Sequence, residues 1–507
     1  MSSTAVQTIV VGDAPVSWRD VVAVARDNAL MQLSEQAWGR ITQARQVVEH
    51  IVARRERAYG INTGLGALCN VVLEPDQLSA LSRNTLLSHA CGVGRPLKSE
   101  QVRAILCAAI INYSHGHSGI SRAVVEALLA MLNQQITPVV PAQGSVGYLT
   151  HMAHISLTLI GVGQVEYAGR LMPAAEAWQR AELPIVELGA KEGLSLVNGT
   201  PCMTGLSCLA LADIHTQMHW ADITGAMSFE ALRGQLAAFD PEVLALKPYA
   251  GVVKVGEHLR ALLQGSEVLQ VSQGIRTQDA LSIRSMPQIH GACREQVRHA
   301  VGQVDVELNS ATDNPLIIGT ADNYRVVSQA NPHGEPVAMA ADVLALAVAE
   351  LGGVAERRID RLINPLVSGL PPFLVAESGV NSGMMIVQYV AASLVADNRR
   401  LAQPAVTDNY ITSALQEDHL SMGTSAALKL AEAVDNLYQI LAIEYLLAAQ
   451  AFEFLPEAKG VGTQQAWQQL RQHVEPYHQD RWLAPEIDRA SQLLRRPDVL
   501  AAIEKVL

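Results

Sequence analysis

At 507 residues, with 49% hydrophobic, 17% charged and 4% aromatic side chains, the chain has the balance of a helical protein with a large buried core. That balance excludes a disordered chain and a coiled-coil rod. The formal net charge of −12 argues against a nucleic-acid or anionic-membrane surface, both of which favour basic patches, so the expected partner is a small molecule.

From the N-terminus, Met1 to Trp18 has no basic flank and no continuous apolar core of signal length. No later unbroken apolar run reaches about 18 residues, so a cytoplasmic protein without a membrane segment is expected. Six cysteines (Cys69, Cys91, Cys107, Cys202, Cys208, Cys293) include no CxxC pair and are too sparse for a disulfide scaffold. They read as reduced core or near-core thiols. His115 and His117 in "YSHGHSG" stand two apart with no third ligand indicated, so no metal is expected.

Residues 1–200 read as a mixed helical and loop region. Its Gly- and Asn-rich interruptions are "RAYGINTGLG" (Arg57 to Gly66), "LLSHACGVG" (Leu86 to Gly94), "GSVGYLTHMAH" (Gly144 to His154) and "LSLVNGTP" (Leu194 to Pro201). Residues 201–507 read as a long-helix bundle, interrupted at "QDALSIRSMPQ" (Gln278 to Gln288), "ANPHGEP" (Ala330 to Pro336) and "ALQEDHLSM". Periods near 3.6 predict helices over Glu335 to Ile363, Asn381 to Ala402 and Ser425 to Leu455. In the last, Leu430, Val434, Leu437 and Leu441 form one stripe, and Ala and Leu fill much of the remainder, so the helix is apolar on more than one face. "NPLVSGLPPFL" between the first two, with three prolines and a glycine, is expected to be a loop.

Taken in order, "AYGINTGLG", "GSVG", "LVNGT", "SATDNP", "EPVAMAAD", "LPPFL", "GVNSG" and "QEDHLSM" resemble the aromatic amino acid ammonia-lyase family, most closely its histidine ammonia-lyase branch, over nearly the whole chain. The resemblance implies an all-α, elongated long-helix fold and a homotetramer with shared active sites. It also implies that Tyr59 is the general base for the β-proton, that Arg284 and Asn198 bind the substrate carboxylate, and that His89, preceded by Ser88, and Glu417 meet an imidazole ring. A carboxylate accepts ring N–H bonds that a phenyl ring cannot offer.

The chain departs from the family at three places. Family members continue "GSVG" with Ala-Ser-Gly, which cyclises to an electrophilic methylidene-imidazolone, whereas here Gly147 is followed directly by Tyr148. The family's catalytic tyrosine in Tyr-Ser-Leu-Arg is Leu281, and Pro332 replaces a typical phenylalanine. The expected cofactor is therefore none.

Without the electrophile, a free amine is a poor leaving group, whereas a quaternary trimethylammonium departs as neutral trimethylamine. Tyr148 stands at the vacated position and can present its ring to that cation, a contact worth about 0.5–2 kcal/mol. The expected reaction is 1,2-elimination from a histidine betaine such as ergothioneine, similar to that of ergothionase, the trimethylamine-lyase related to this family. The alternatives are a histidine ammonia-lyase whose tripeptide is missing from the sequence as written, and a catalytically inactive binding paralogue.

Overall fold

The computed structural model describes residues 7–507 apart from Cys69. It is mostly helical, as the periodicity predicts, with short strands confined to two- and three-stranded ribbons. The chain forms two compact units that interleave along the sequence, whereas the sequence expectation divides it once, at residue 200. One unit comprises the chain up to Ala212 with Ala300–Asp342 and Pro404–Leu428; the other comprises Asp213–His299, Val343–Gln403 and Lys429–Leu507.

In the first unit, the helix Glu35–Arg54 starts at Ser34, whose hydroxyl accepts the Ala37 amide. Its inner face, with Ala44, Val47, Val48 and Ile51, packs with Ile61, Leu78, Ala190 and Ile317, and Ala58 lies against the same cluster. This core supports the loop that carries Tyr59. An antiparallel pairing of Val93–Pro96 with Pro141–Gln143, in which Val93 faces Gln143, brings the C-terminal end of the helix Leu78–His89 alongside the turn that starts at Gly144.

In the second unit, the residues of the helix Gly423–Phe452 from Ile440 to Ala449 are almost all fully buried, including Leu441, Ile443, Tyr445 and Leu447. Each such aliphatic side chain contributes about 1.5–3 kcal/mol by leaving water. Within this packing Arg358 and Glu444 form an ion pair 2.5 Å apart with no solvent exposure, and the hydroxyls of Thr224 and Ser228 donate to the same carboxylate at 2.9 and 2.8 Å. These hydrogen bonds offset the cost of burying the charges.

The helix Glu335–Ile363 has the predicted limits, and Gly423–Phe452 is shifted by two or three residues. The helix predicted from Asn381 begins only at Met385, because the Asp480 carboxylate takes the amides of Ser382 and Gly383 at 2.8 and 2.9 Å. The expected loop at Asn364 to Leu374 contains short helical pieces at Pro365–Ser368 and Pro372–Leu374. Proline suits a first helical turn, and the Asn364 side chain caps the first piece by accepting the Leu366 amide.

Two stretches, Glu192–Ala231 and Glu335–Ile363, match a membrane span in length and hydropathy, which a search for unbroken apolar runs does not register. Their apolar windows are 100% and 67% buried within the protein, as in core helices. Cys107, Cys202, Cys208 and Cys293 are buried as expected, and burial pushes the thiols of Cys107, Cys202 and Cys293 up to about 12. Cys91 is exposed, in the irregular segment after His89, and Cys69 lies outside the described residues.

Candidate active site

The turn from Gly144 to Leu149 is the hub of the site. Gly144 has φ +123°, where a side chain is strained, and a Cβ there would stand only 3.1 Å from the Gly92 Cα, so glycine suits both the turn and the close approach of the two segments. Leu149 has φ 78° and ψ −68°, and the Thr150 amide donates to the Tyr148 carbonyl across it at 3.2 Å. This is a γ-turn in its rare strained form, at a residue with a side chain.

Two further segments are tied to this turn. The Leu149 amide donates to the Val197 carbonyl at 3.1 Å, and the Met422 amide donates to the Val146 carbonyl at 3.0 Å. The Thr424 hydroxyl donates to the Gly147 carbonyl at 3.1 Å. The segments carrying Asn198 and Glu417 are thereby fixed to the turn, and the pairing of Val93 with Gln143 brings the His89 segment beside it.

The half-buried Tyr148 side chain lies beside the Glu417 carboxylate. Burial, then the Glu417 carboxylate, then the neighbouring Tyr59 raise the Tyr148 phenol well above its ordinary value. Glu417 lies in an irregular segment, bridged by backbone hydrogen bonds to Thr412 and ahead of the helix Gly423–Phe452. It is not a helix N-terminal residue. On the facing loop, the Tyr59 hydroxyl oxygen accepts the Gly66 amide at 3.4 Å. A cavity of about 290 Å³ lies beside Tyr59, between the loop Glu56 to Tyr59 and the strand residues Tyr324 and Val326.

His89 closes the helix Leu78–His89, and burial lowers its pKa, opposed by a hydrogen bond to the Thr85 backbone and by the Glu417 charge. The Ser88 hydroxyl donates to the Thr85 carbonyl at 3.3 Å, so its oxygen receives the His89 Nδ1 proton across 3.0 Å. In the neutral ring this leaves Nε2 as an acceptor. Tyr59, His89, Tyr148 and Glu417 thus form one electrostatically connected group.

Asn198 is buried beyond the helix Glu192–Val197, and its Nδ2 donates to Asp313 Oδ1 at 3.0 Å and to the Asn314 carbonyl at 2.8 Å. Asp313 is held by the Lys191 ammonium at 3.0 Å, both groups being fully buried. Both amide hydrogens are therefore committed, and what Asn198 offers a ligand is its oxygen, an acceptor. The expectation places it at the substrate carboxylate, which takes donors, whereas the oxygen left free is an acceptor.

Arg284 belongs to the other compact unit, at the end of the short helix Leu281–Arg284, where it is half-buried with a buried Nε that makes no hydrogen bond. Leu281 is 64% exposed. Two larger clefts, each about 500 Å³, are lined around Trp38 and Arg122 and around Arg357 and Arg399, and neither contains any of the six expected residues.

Sequence reasoning did not single out Lys191 and Asp313, nor the pair His333 and His419, whose rings stack with Nε2 and Nδ1 3.1 Å apart and with Glu335 beside them. The signal for the histidine pair lay in "ANPHGEP" and "QEDHLSM", each of which carries one of the rings. His115 and His117 belong to neither of the clusters with metal-ligand spacing found among the described residues.

The residues present do not fit the family's self-made electrophile. Between Gly147 and Thr150 stand only Tyr148 and Leu149, and the nearby Ser145 hydroxyl donates to the Tyr148 carbonyl at 3.0 Å.

The family described as aromatic amino acid lyase matches residues 16–472. A histidine ammonia-lyase of Symbiobacterium thermophilum is 47% identical over 491 residues, 96% of each chain. The histidine ammonia-lyase structure from Trypanosoma cruzi superposes with a TM-score of 0.92 at 36% identity, covering 99% of this chain and 96% of that one. The ergothioneine-degrading ergothionase of Treponema denticola, in complex with desmethyl-ergothioneine sulfonic acid, gives 0.91 at 28% identity, covering 97% and 100%. With a family match over most of its length and relatives that it covers almost end to end, this chain belongs to the aromatic amino acid lyase family.

Proposed function

We propose that the chain is a carbon–nitrogen lyase that eliminates a quaternary amine from a histidine-derived betaine without a methylidene-imidazolone. The observation that supports this reading is the Gly147–Tyr148 junction, where Tyr148 directly follows the GSVG motif and burial and the Glu417 charge keep its phenol protonated. An aromatic face suits a trimethylammonium, which has no N–H to donate.

In this reading Tyr59 removes the β-proton, the electron pair of that C–H bond becomes the new carbon–carbon double bond, and the Cα–N bond breaks to release neutral trimethylamine. Glu417 and the His89 acceptor take the ring N–H groups, and the resemblance to ammonia-lyases assigns the carboxylate to Arg284 as a charge-assisted pair. The reaction needs no external oxidant or reductant. The Treponema denticola neighbour, named for ergothioneine degradation, supports this substrate class.

The second reading is histidine ammonia-lyase, and two observations favour it. Relatives of that name are 40–47% identical to this chain. The Asn198 oxygen is also an acceptor suited to an ammonium N–H, which a trimethylammonium lacks.

Incubating the purified chain with histidine, Nα-trimethylhistidine and ergothioneine, while measuring acrylate absorbance and the amine released, separates the readings. Trimethylamine from the betaines with histidine inert supports the first. Ammonia from histidine at an equal or greater rate refutes it in favour of the second. Binding without turnover of any of them identifies a binding paralogue. A full-length mass three residues heavier than the chain, less the water lost on cyclisation, would restore the family's electrophile.

A further inference from the structure

In the second unit three helices bring together groups that the lyase reading leaves unused. The helix Pro201–Ala231 carries His219 and Asp222, three residues apart and so on one face. The helix Ala250–Leu262 carries His258, and Glu504 is the last residue of the C-terminal helix Pro497–Glu504. His219 Nδ1 lies 2.8 Å and His258 Nε2 3.3 Å from Glu504 Oε1, and the three ligand atoms fall within 4.8 Å of one another. Tetrahedral coordination with metal–ligand bonds of about 2.0–2.1 Å places ligand atoms roughly 3.3 Å apart.

The second observation is what stands behind His258. Its Nδ1 is 3.0 Å from Asp222 Oδ2, and Asp222, fully buried, is anchored by His290 Nδ1 at 2.8 Å and Arg294 Nη2 at 2.6 Å. A carboxylate that receives one ring N–H fixes the tautomer and turns the other nitrogen's lone pair outward, the arrangement found behind metal-bound histidines. The outward atom, His258 Nε2, is buried and faces Glu504 Oε1 across 3.3 Å. His219 and Glu504 have side chains 36% and 33% exposed, which leaves a route for an ion and for a water ligand.

We propose that His219, His258 and Glu504 form a binding site for a divalent transition metal of the zinc class, with Asp222 as the outer carboxylate that orients His258. Two imidazoles and one carboxylate suit zinc, cobalt or nickel rather than calcium or magnesium, which take oxygen ligands. The ion would fasten the C-terminal helix to the helices of His219 and His258, a structural role separate from the lyase chemistry.

The test uses the untagged full-length chain, stripped with a chelator and titrated with Zn²⁺ and with Co²⁺. One tight equivalent per chain is expected, with visible absorption from Co²⁺ in a low-symmetry nitrogen and oxygen environment and a rise in melting temperature with Zn²⁺. His219→Gln and Glu504→Gln, both at partly exposed positions, should each weaken binding about 10-fold or more and abolish the melting shift, and Asp222→Asn should weaken it roughly 10–100-fold if it folds. His333→Gln combined with His419→Gln should leave the stoichiometry and affinity unchanged. Failure of the wild-type chain to retain either metal would overturn the proposal. So would retention undiminished in the His219→Gln, Glu504→Gln double variant, or loss of binding in the His333, His419 pair instead.

Discussion

The Tyr148 phenol is held protonated by burial and by the charge of the nearby Glu417 carboxylate, a proximity that joins the residue that follows Gly147 to the residue expected at the substrate ring. A carboxylate has about four lone-pair sites, so one phenol leaves capacity for ring N–H donors. Hydrogen bonds to a charged group contribute about 1.5–3 kcal/mol, so Glu417→Gln should weaken imidazole-bearing ligands roughly 10–150-fold. Phenyl analogues, which offer no ring N–H, should change by less than about 3-fold, and Tyr148→Phe should leave imidazole binding intact. Calorimetric titration with matched imidazole and phenyl amino acids checks this. Equal losses for both rings would make Glu417 structural.

The same contact sets a pH prediction. Burial first, and the Glu417 charge next, raise the Tyr148 phenol above its ordinary value of 10.0, so it stays protonated throughout the neutral range. For a raised folded-state pKa, the associated stability is fully present below pH 10 and is lost as pH rises through the folded value. Ultraviolet difference titrations of wild type and Tyr148→Phe should therefore coincide up to pH 10 and diverge above it. A phenol titrating near neutrality in the wild type and absent from Tyr148→Phe would contradict the geometry.

Leu149 offers a test of the turn itself. In ordinary positions glycine is less stable than alanine by about 0.5–1 kcal/mol, because it loses more chain entropy on folding. At φ 78° and ψ −68° a side chain carries strain of about 1–3 kcal/mol, which glycine relieves. Leu149→Gly should therefore be at least as stable as Leu149→Ala in thermal or denaturant unfolding. The usual order, with glycine lower, would mean that the γ-turn is not populated in solution.

How much of this was legible beforehand differs by level. The helix Glu335–Ile363 could be read to the residue because its apolar period is long and unbroken. The start at Met385 could not, since it is set by Asp480, almost a hundred residues further along the chain. Tyr59, His89, Asn198 and Glu417 enter as candidates only through motif order, since each alone is an ordinary residue in its segment. That Asn198 presents an acceptor was not legible, because it depends on Asp313, and Asp313 depends on Lys191, partners 115 and 122 residues apart. Strain at Leu149 has no signature in a leucine; it shows only in the backbone angles of the turn.

Arg284 is the remaining expected residue, and its buried Nε without a hydrogen bond is a donor available to a planar anion. The resemblance to ammonia-lyases assigns it the substrate carboxylate, and a charge-assisted pair contributes about 1.5–3 kcal/mol. Arg284→Ala should then weaken histidine and its betaines roughly 10–150-fold while leaving histamine, which has the ring but no carboxylate, within about 3-fold. Arg284→Lys keeps the charge but not the fork, so it should fall between wild type and Arg284→Ala. Thermal unfolding of both variants provides the control, since a guanidinium needed mainly for packing would lower stability and weaken histidine and histamine alike. If affinity for both ligands falls together, Arg284 has a packing role and the carboxylate is bound elsewhere.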